Sequence, residues 1–148
     1  METFEYSSVI PASAAAVFAW HERPQALAEL IPPGAPVKVL EHTGGIHDGA
    51  LVVLAIGWGP LRLRWFARHQ DYRPGVSFVD VQERGPFTRW QHTHSFEALS
   101  PDTCRLRDHI AYALPLGLPG ALVKPQLERM FRYRHAITAQ AFGIGIPK

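Results

Sequence analysis

One cysteine, Cys104, is all that 148 residues carry, so no intrachain disulfide can form and a cysteine-rich zinc site is excluded. Long apolar runs are also missing. The most apolar stretch, ALVVLAIGW at 50 to 58, is far too short to cross a bilayer as a helix. At the N-terminus, METFEYSSVIPAS places acids and hydroxyls where a secretory leader would place a basic patch and an apolar run. These features lead us to expect a soluble cytoplasmic protein with no stable membrane insertion. Charge of one sign is scarce too, since 15 Lys and Arg stand against 13 Asp and Glu. A nucleic-acid partner is therefore not expected, because a phosphate-binding face needs clustered cations with stacking aromatics. The one local cluster, Lys124, Arg129, Arg132 and Arg134, reads as a solvated helix face. Repeats, low-complexity tracts and linkers are absent, so residues 1–148 are expected to form a single domain.

What is present is a succession of strand-like words. ETFEYSSVI at 2 to 10 mixes aromatic and β-branched residues and reads as a first strand. Ser13 can cap a short helix AAAVFAWHE, and a second short helix QALAEL ends before Pro32 and Pro33. Turn words then recur at hairpin spacing, TGGIHDG, GWGP, RPG, RGPF and SPDT. Between them lie VKVLEH, ALVVLAI, LRLRWFARHQDY, VSFVDVQE, TRWQHTHSFEAL and CRLRDHIAYAL, for which an antiparallel meander is the simplest connection. In the third of these, Leu61, Leu63, Trp65 and Ala67 share one side and Arg62, Arg64 and Arg68 the other. Leu127, Met130, Phe131, Arg134, Ile137 and Ala141 recur at helical spacing, so a long C-terminal helix covers one sheet face. The fold class is α+β, a curved antiparallel sheet of about six to seven strands wrapped around that helix, with two short helices after the first strand.

The words VIPASAAAVFAW with ELIPP, RGPFTRWQHTHSF, LRDHIAYALPLG and RMFRYRH resemble the SRPBCC superfamily, also called START-like or Bet v 1-like, over essentially the whole chain. They look like a bacterial branch of uncharacterised ligand-binding members. The resemblance implies the helix-grip fold and a deep hydrophobic cavity between sheet and terminal helix for a small apolar, amphipathic or aromatic molecule. Members include lipid carriers, hormone receptors, polyketide cyclases and interaction modules, so the fold does not fix the function.

Side chains must narrow it. Period-two alternation that sends Trp90 and Phe96 inward carries His92 and His94 with them. The next strand adds Asp108 and Tyr112, and the preceding one adds Asp80 and Gln82 on the face of Phe78, although Val79 and Val81 support the opposite assignment nearly as well. Unpartnered, each such group costs roughly 1–3 kcal/mol to bury. Three readings stay open for them. In the first they anchor a ligand as a polar network; in the second His92, His94 and Asp108 are acid/base groups of a cyclase or dehydratase, with Tyr112 polarising a carbonyl; in the third the domain is a non-catalytic interaction module with a filled core. Two histidines at i and i+2 with a carboxylate could also hold a metal, but without a further ligand motif we expect neither metal nor cofactor. His21, His42, His47 and His69 fall in or near expected turns and strand ends and add nothing specific. Trp65, Phe131 and Arg134 complete the expected lining, with Arg134 able to reach a ligand carboxylate or an aspartate.

Overall fold

The computed structural model describes residues 1–143. Strand β1 (Glu2–Ile10) leads through two short helices, α1 (Ala14–Glu22) and α2 (Ala26–Glu29), into six further strands. These are β2 (Val37–Thr43), β3 (Leu51–Ile56), β4 (Leu63–Arg73), β5 (Ser77–Arg84), β6 (Arg89–Ser100) and β7 (Thr103–Ala113). Helix α3 (Lys124–Ala141) follows. Every neighbouring pair is antiparallel, and the sheet order is β1-β7-β6-β5-β4-β3-β2. The meander β2 to β7 is thus continuous, and β1 pairs with its last strand. The α1–α2 connection carries the chain from one edge of the curved sheet to the other, and α3 lies in the grip of the sheet, as the helix-grip expectation requires.

Local chemistry explains the elements. The Ser13 hydroxyl accepts the Ala16 N–H at 3.1 Å and caps α1. Pro125 occupies the first turn of α3, where a missing N–H costs no helical hydrogen bond. In β7 the burial alternates without a break from Thr103 to Ala113, as a half-buried strand demands. The turn after β3 depends on Gly57, at φ 105°, where a Cβ would meet the Leu61 carbonyl oxygen at 2.9 Å.

One expectation fails at the start of β4. Leu61 sits in a short 3-10 turn (Gly59–Leu61) and is 81% exposed, and Leu63 at the strand start is 53% exposed. The inward row therefore begins only at Trp65 and continues through Ala67 to His69. The apolar stripe of α3 is also rotated. Leu127, Phe131, His135 and Thr138 are its buried positions, while Met130, Arg134 and Ile137 are only half-buried.

Two apolar groups fill much of the interior. Ile10, Val17, Phe18, Phe78, Phe96 and Leu106 pack beneath α1, and Phe4, Trp90, Ile110, Tyr112, Leu127 and Phe131 pack beneath α3. No described helix is long and apolar enough to cross a membrane.

Candidate ligand cavity and its histidine and aspartate wall

A cavity of about 310 Å³ lies between the inner face of β3 to β6 and helices α2 and α3. Its lining is mainly apolar, including Leu30, Val52, Leu54, Phe87 and Met130, with Trp65, Trp90 and Phe131 as expected. On one wall Asp80, His92 and His94 face the space, joined by His69, His21 and Arg134.

Strand register builds that wall. Asp80 lies opposite both His69 and His92, and His94 lies opposite Phe78 and Asp108. Asp108 in turn lies beside Tyr6 of β1. Inward-facing residues at these rungs put two carboxylates and two imidazoles on one patch of the sheet, and α3 brings a third imidazole down onto it. His92 donates from Nε2 to Asp108 Oδ1 at 2.6 Å, and His135 donates from Nε2 to Asp108 Oδ2 at 2.6 Å. His94 donates from Nε2 to Asp80 Oδ2 at 2.8 Å, and its Nδ1 is 3.1 Å from Asp108 Oδ1. The Ser8 hydroxyl is hydrogen-bonded to His135 Nδ1 at 2.6 Å and holds the ring from its other side. Apolar rings hold the geometry. His94 stacks on Phe78 with centroids 4.1 Å apart, and the His92 ring meets Phe131 edge-on.

The network sets the charges. Burial works against ionised Asp108, yet hydrogen bonds from His135, His92 and His94 hold its carboxyl well below the ordinary range. Asp80 is likewise held down against burial by His92 and His94. Burial opposes a charge on His94 as well, but its hydrogen bonds to Asp108 and Asp80 prevail and push its pKa up. His92 goes the other way, lowered first by burial and then by its cationic neighbour, whose ring centroid is 3.7 Å away. The two adjacent imidazoles are thus biased in opposite directions, His94 toward its charged form and His92 toward its neutral one.

Residues 10–135 match the model of the family described as polyketide cyclase / dehydrase and lipid transport. The chain belongs to that family. No curated protein matches it. Among solved structures, a START superfamily protein from Mycobacterium smegmatis aligns with a TM-score of 0.71 at 14% identity, over 95% of this chain and 96% of that one. Norcoclaurine synthase from Thalictrum flavum, in complex with dopamine and hydroxybenzaldehyde, aligns with 0.71 at 16%, over 95% and 85%. A nucleoside-diphosphate sugar epimerase from Corynebacterium glutamicum aligns with 0.72 at 25%, over 93% of this chain. This chain spans only 28% of that protein's length. Membership in the polyketide cyclase / dehydrase and lipid transport family, with START-like neighbours of the same fold, bears out the SRPBCC resemblance and supports a ligand-binding or cyclase-type role.

Against the sequence expectations, this family member's cavity differs at several places. Phe96 packs against Phe18 at 5.1 Å in the filled end of the interior and does not line the cavity. Tyr112 donates its hydroxyl to the Gly120 carbonyl at 2.7 Å, so it ties β7 to the loop before α3 and polarises nothing in the cavity. Gln82 spends its amide on both backbone groups of Phe87, at 2.7 and 3.2 Å, and thereby sets the β5–β6 turn that brings Phe87 to the wall. Asp108 is 4% exposed and stands behind His92 and His94, so it orients them without lining the space itself. Arg134 lines the cavity but pairs with neither aspartate, and its guanidinium lies 5.3 Å over the Phe131 ring.

Other members of the wall escaped the sequence reading. His135 sits four residues after Phe131 and eight after Leu127, on the same stripe, so helical spacing could have found it. His69 follows Trp65 and Ala67 at period two and is 7% exposed, inside β4 and not at its end. His21 holds the Val17 carbonyl through Nδ1 at 2.8 Å, and burial lowers its pKa to about 3. His42 also reaches the lining. Ser8 carries no signal in a one-dimensional pattern.

Proposed function

We propose that the cavity binds one small apolar or aromatic molecule that carries an acidic or other hydrogen-bonding group. The observation that carries this reading is the wall itself. Trp65 Nε1 is buried without a hydrogen-bond partner among the described residues, and Trp65 and Arg134 both line the same apolar space. Leaving such a donor unmet costs roughly 1–3 kcal/mol, a cost that a ligand oxygen at the indole N–H removes. Arg134 supplies the complementary charge for a carboxylate or phenolate, while Leu54, Phe87 and Trp90 supply the apolar surface.

An interaction module without a ligand would call for a filled core, and the 310 Å³ space argues against that reading. Turnover is favoured by the chain's membership in a cyclase and dehydrase family, with His92 and His94 as the groups at the substrate and Asp108 behind them. Norcoclaurine synthase, whose structure holds aromatic molecules, supports at least the capacity of this fold for such ligands.

The test is a fluorescence anisotropy titration with hydroxynaphthoate, done in chelator to keep it metal-free. Saturable one-to-one binding is expected, weakened about tenfold by Trp65→Phe and by Arg134→Ala, since a lost hydrogen bond or charge contact of about 1.4 kcal/mol is a factor of ten. Trp58→Ser, outside the cavity, should change nothing. Absence of binding, or binding indifferent to both wall variants, would overturn the reading.

A further inference from the structure

We propose that Asp80, His92 and His94 form a binding site for one divalent first-row transition-metal ion on the cavity wall. The inference goes beyond the ligand reading and stands whichever organic molecule fills the space. It also departs from the metal-free pocket expected of the sequence, for reasons that only the assembled strands and helix supply.

The donor atoms converge. Each of the three residues offers one ligating atom, and these lie within 4.8 Å of one another. Asp80 Oδ2 is 2.8 Å from His94 Nε2 and 3.4 Å from His92 Nδ1. Atoms bound at about 2.0–2.2 Å to one ion are separated by roughly 3 to 3.5 Å, so little movement brings them onto a common centre. A metal-binding histidine needs its other nitrogen held, which fixes the tautomer and aims the ring. Both histidines meet that need through one carboxylate, because His92 Nε2 and His94 Nδ1 both reach Asp108 Oδ1, at 2.6 and 3.1 Å. Asp108 is itself anchored from the far side by His135 and, through it, Ser8.

A further observation points the same way. His69 lies directly opposite Asp80 in the β4–β5 ladder, lines the cavity, is 7% exposed, and leaves Nδ1 buried without a partner. Its ring stands beside the set without being one of the three converging donors. Charge agrees as well, since a divalent ion between His94 Nε2 and Asp80 Oδ2 takes the place of the proton that joins them. Two imidazoles and a carboxylate suit zinc, iron(II), cobalt(II) or manganese(II), and an all-oxygen ion such as calcium is a poor match. The three donors come from the sheet side and the cavity lies on the other, so the remaining coordination positions open toward the bound molecule.

The experiment uses tag-free protein stripped with chelator and titrated with cobalt(II), followed by visible absorption, and with zinc(II), followed by native mass spectrometry. One equivalent of each is expected, with a rise in the thermal midpoint of the unmodified protein. Asp80→Asn and His94→Ala should weaken binding at least 100-fold, and Asp108→Asn, which touches only the outer nitrogens, about 10- to 100-fold. His47→Ala, exposed and outside the set, should leave it unchanged. Failure of the unmodified protein to take up either ion at millimolar concentration, or uptake undiminished in the Asp80 and His94 variants, would overturn the proposal. Neither result bears on the chelated hydroxynaphthoate titration, so this proposal and the ligand reading can fail separately.

Discussion

The two ends of the sheet's inner face use similar strands for opposite purposes. Beneath α1, Ile10, Val17, Phe18, Phe78, Phe96 and Leu106 close on one another with every position apolar. A few residues away on the same strands, the rungs hold Asp80, His92, His94 and Asp108, and the space in front of them stays open. Phe96 and His94 are neighbours on one face of β6, yet one meets Phe18 and the other two carboxylates. Burying apolar side chains stabilises in proportion to area, whereas buried ion pairs are often no better than apolar residues of the same volume. A sheet selected for stability alone would continue the first pattern into the second region. On the proposed reading, the difference between the two ends reflects a ligand held in front of the histidine wall.

Substitutions can break this comparison, and the largest effects come in a matched pair. Asp108→Ala should lose about 3–5 kcal/mol of unfolding free energy in urea, because three histidines are left with an uncompensated buried network. Phe18→Ala should lose a similar roughly 3–5 kcal/mol through the cavity it opens. Only the first, which frees His92 and His94 at the cavity, should also weaken hydroxynaphthoate binding, and equal losses of binding in both would erase the distinction between the two ends.

The next effect is a pH dependence. His21 has an ordinary pKa of 6.5, brought to about 3 in the folded chain by burial. Between these values the unfolded chain binds a proton that the folded one refuses. Its contribution is complete above pH 6.5 and is lost progressively as pH falls toward 3. His21→Phe should flatten the slope of stability against pH in that window by up to about 1.4 kcal/mol per pH unit; an unchanged slope would remove His21 from the account. Smaller still, Ser8→Ala should cost about 1 kcal/mol by removing the hydrogen bond at His135 Nδ1. Smallest is Leu116→Ser, at a position 96% exposed, where a thermal scan should show a change within about 0.5 kcal/mol.

Much of the architecture was legible because alternation and turn chemistry act locally. The words from VKVLEH to CRLRDHIAYAL became β2 to β7 with ends shifted by a residue or two. His92 and His94 were placed inward by period two alone, with Trp90 and Phe96 as markers, and both are 4% exposed. What alternation could not tell was the difference between facing inward and facing the cavity. Phe96 and Tyr112 face inward and are consumed by packing and by a loop carbonyl, and that outcome depends on where α1 and the loop before α3 come to rest. His135 was hidden by the choice of helical stripe, since Arg134 and Ile137 fit an apolar row nearly as well as His135 and Thr138 do. Ser8 and His69 acquire their meaning only from partners 127 residues away and across a strand ladder.

Native mass spectrometry of the freshly purified protein tests the central claim, that the cavity in front of the histidine wall is a ligand site, most directly. The account predicts a one-to-one organic adduct that persists on gentle activation and is diminished in Trp65→Phe and Arg134→Ala. A bare chain that also gains no adduct on incubation with excess hydroxynaphthoate would contradict it, and would return Asp80, His92, His94 and Asp108 to the role of a structural polar network.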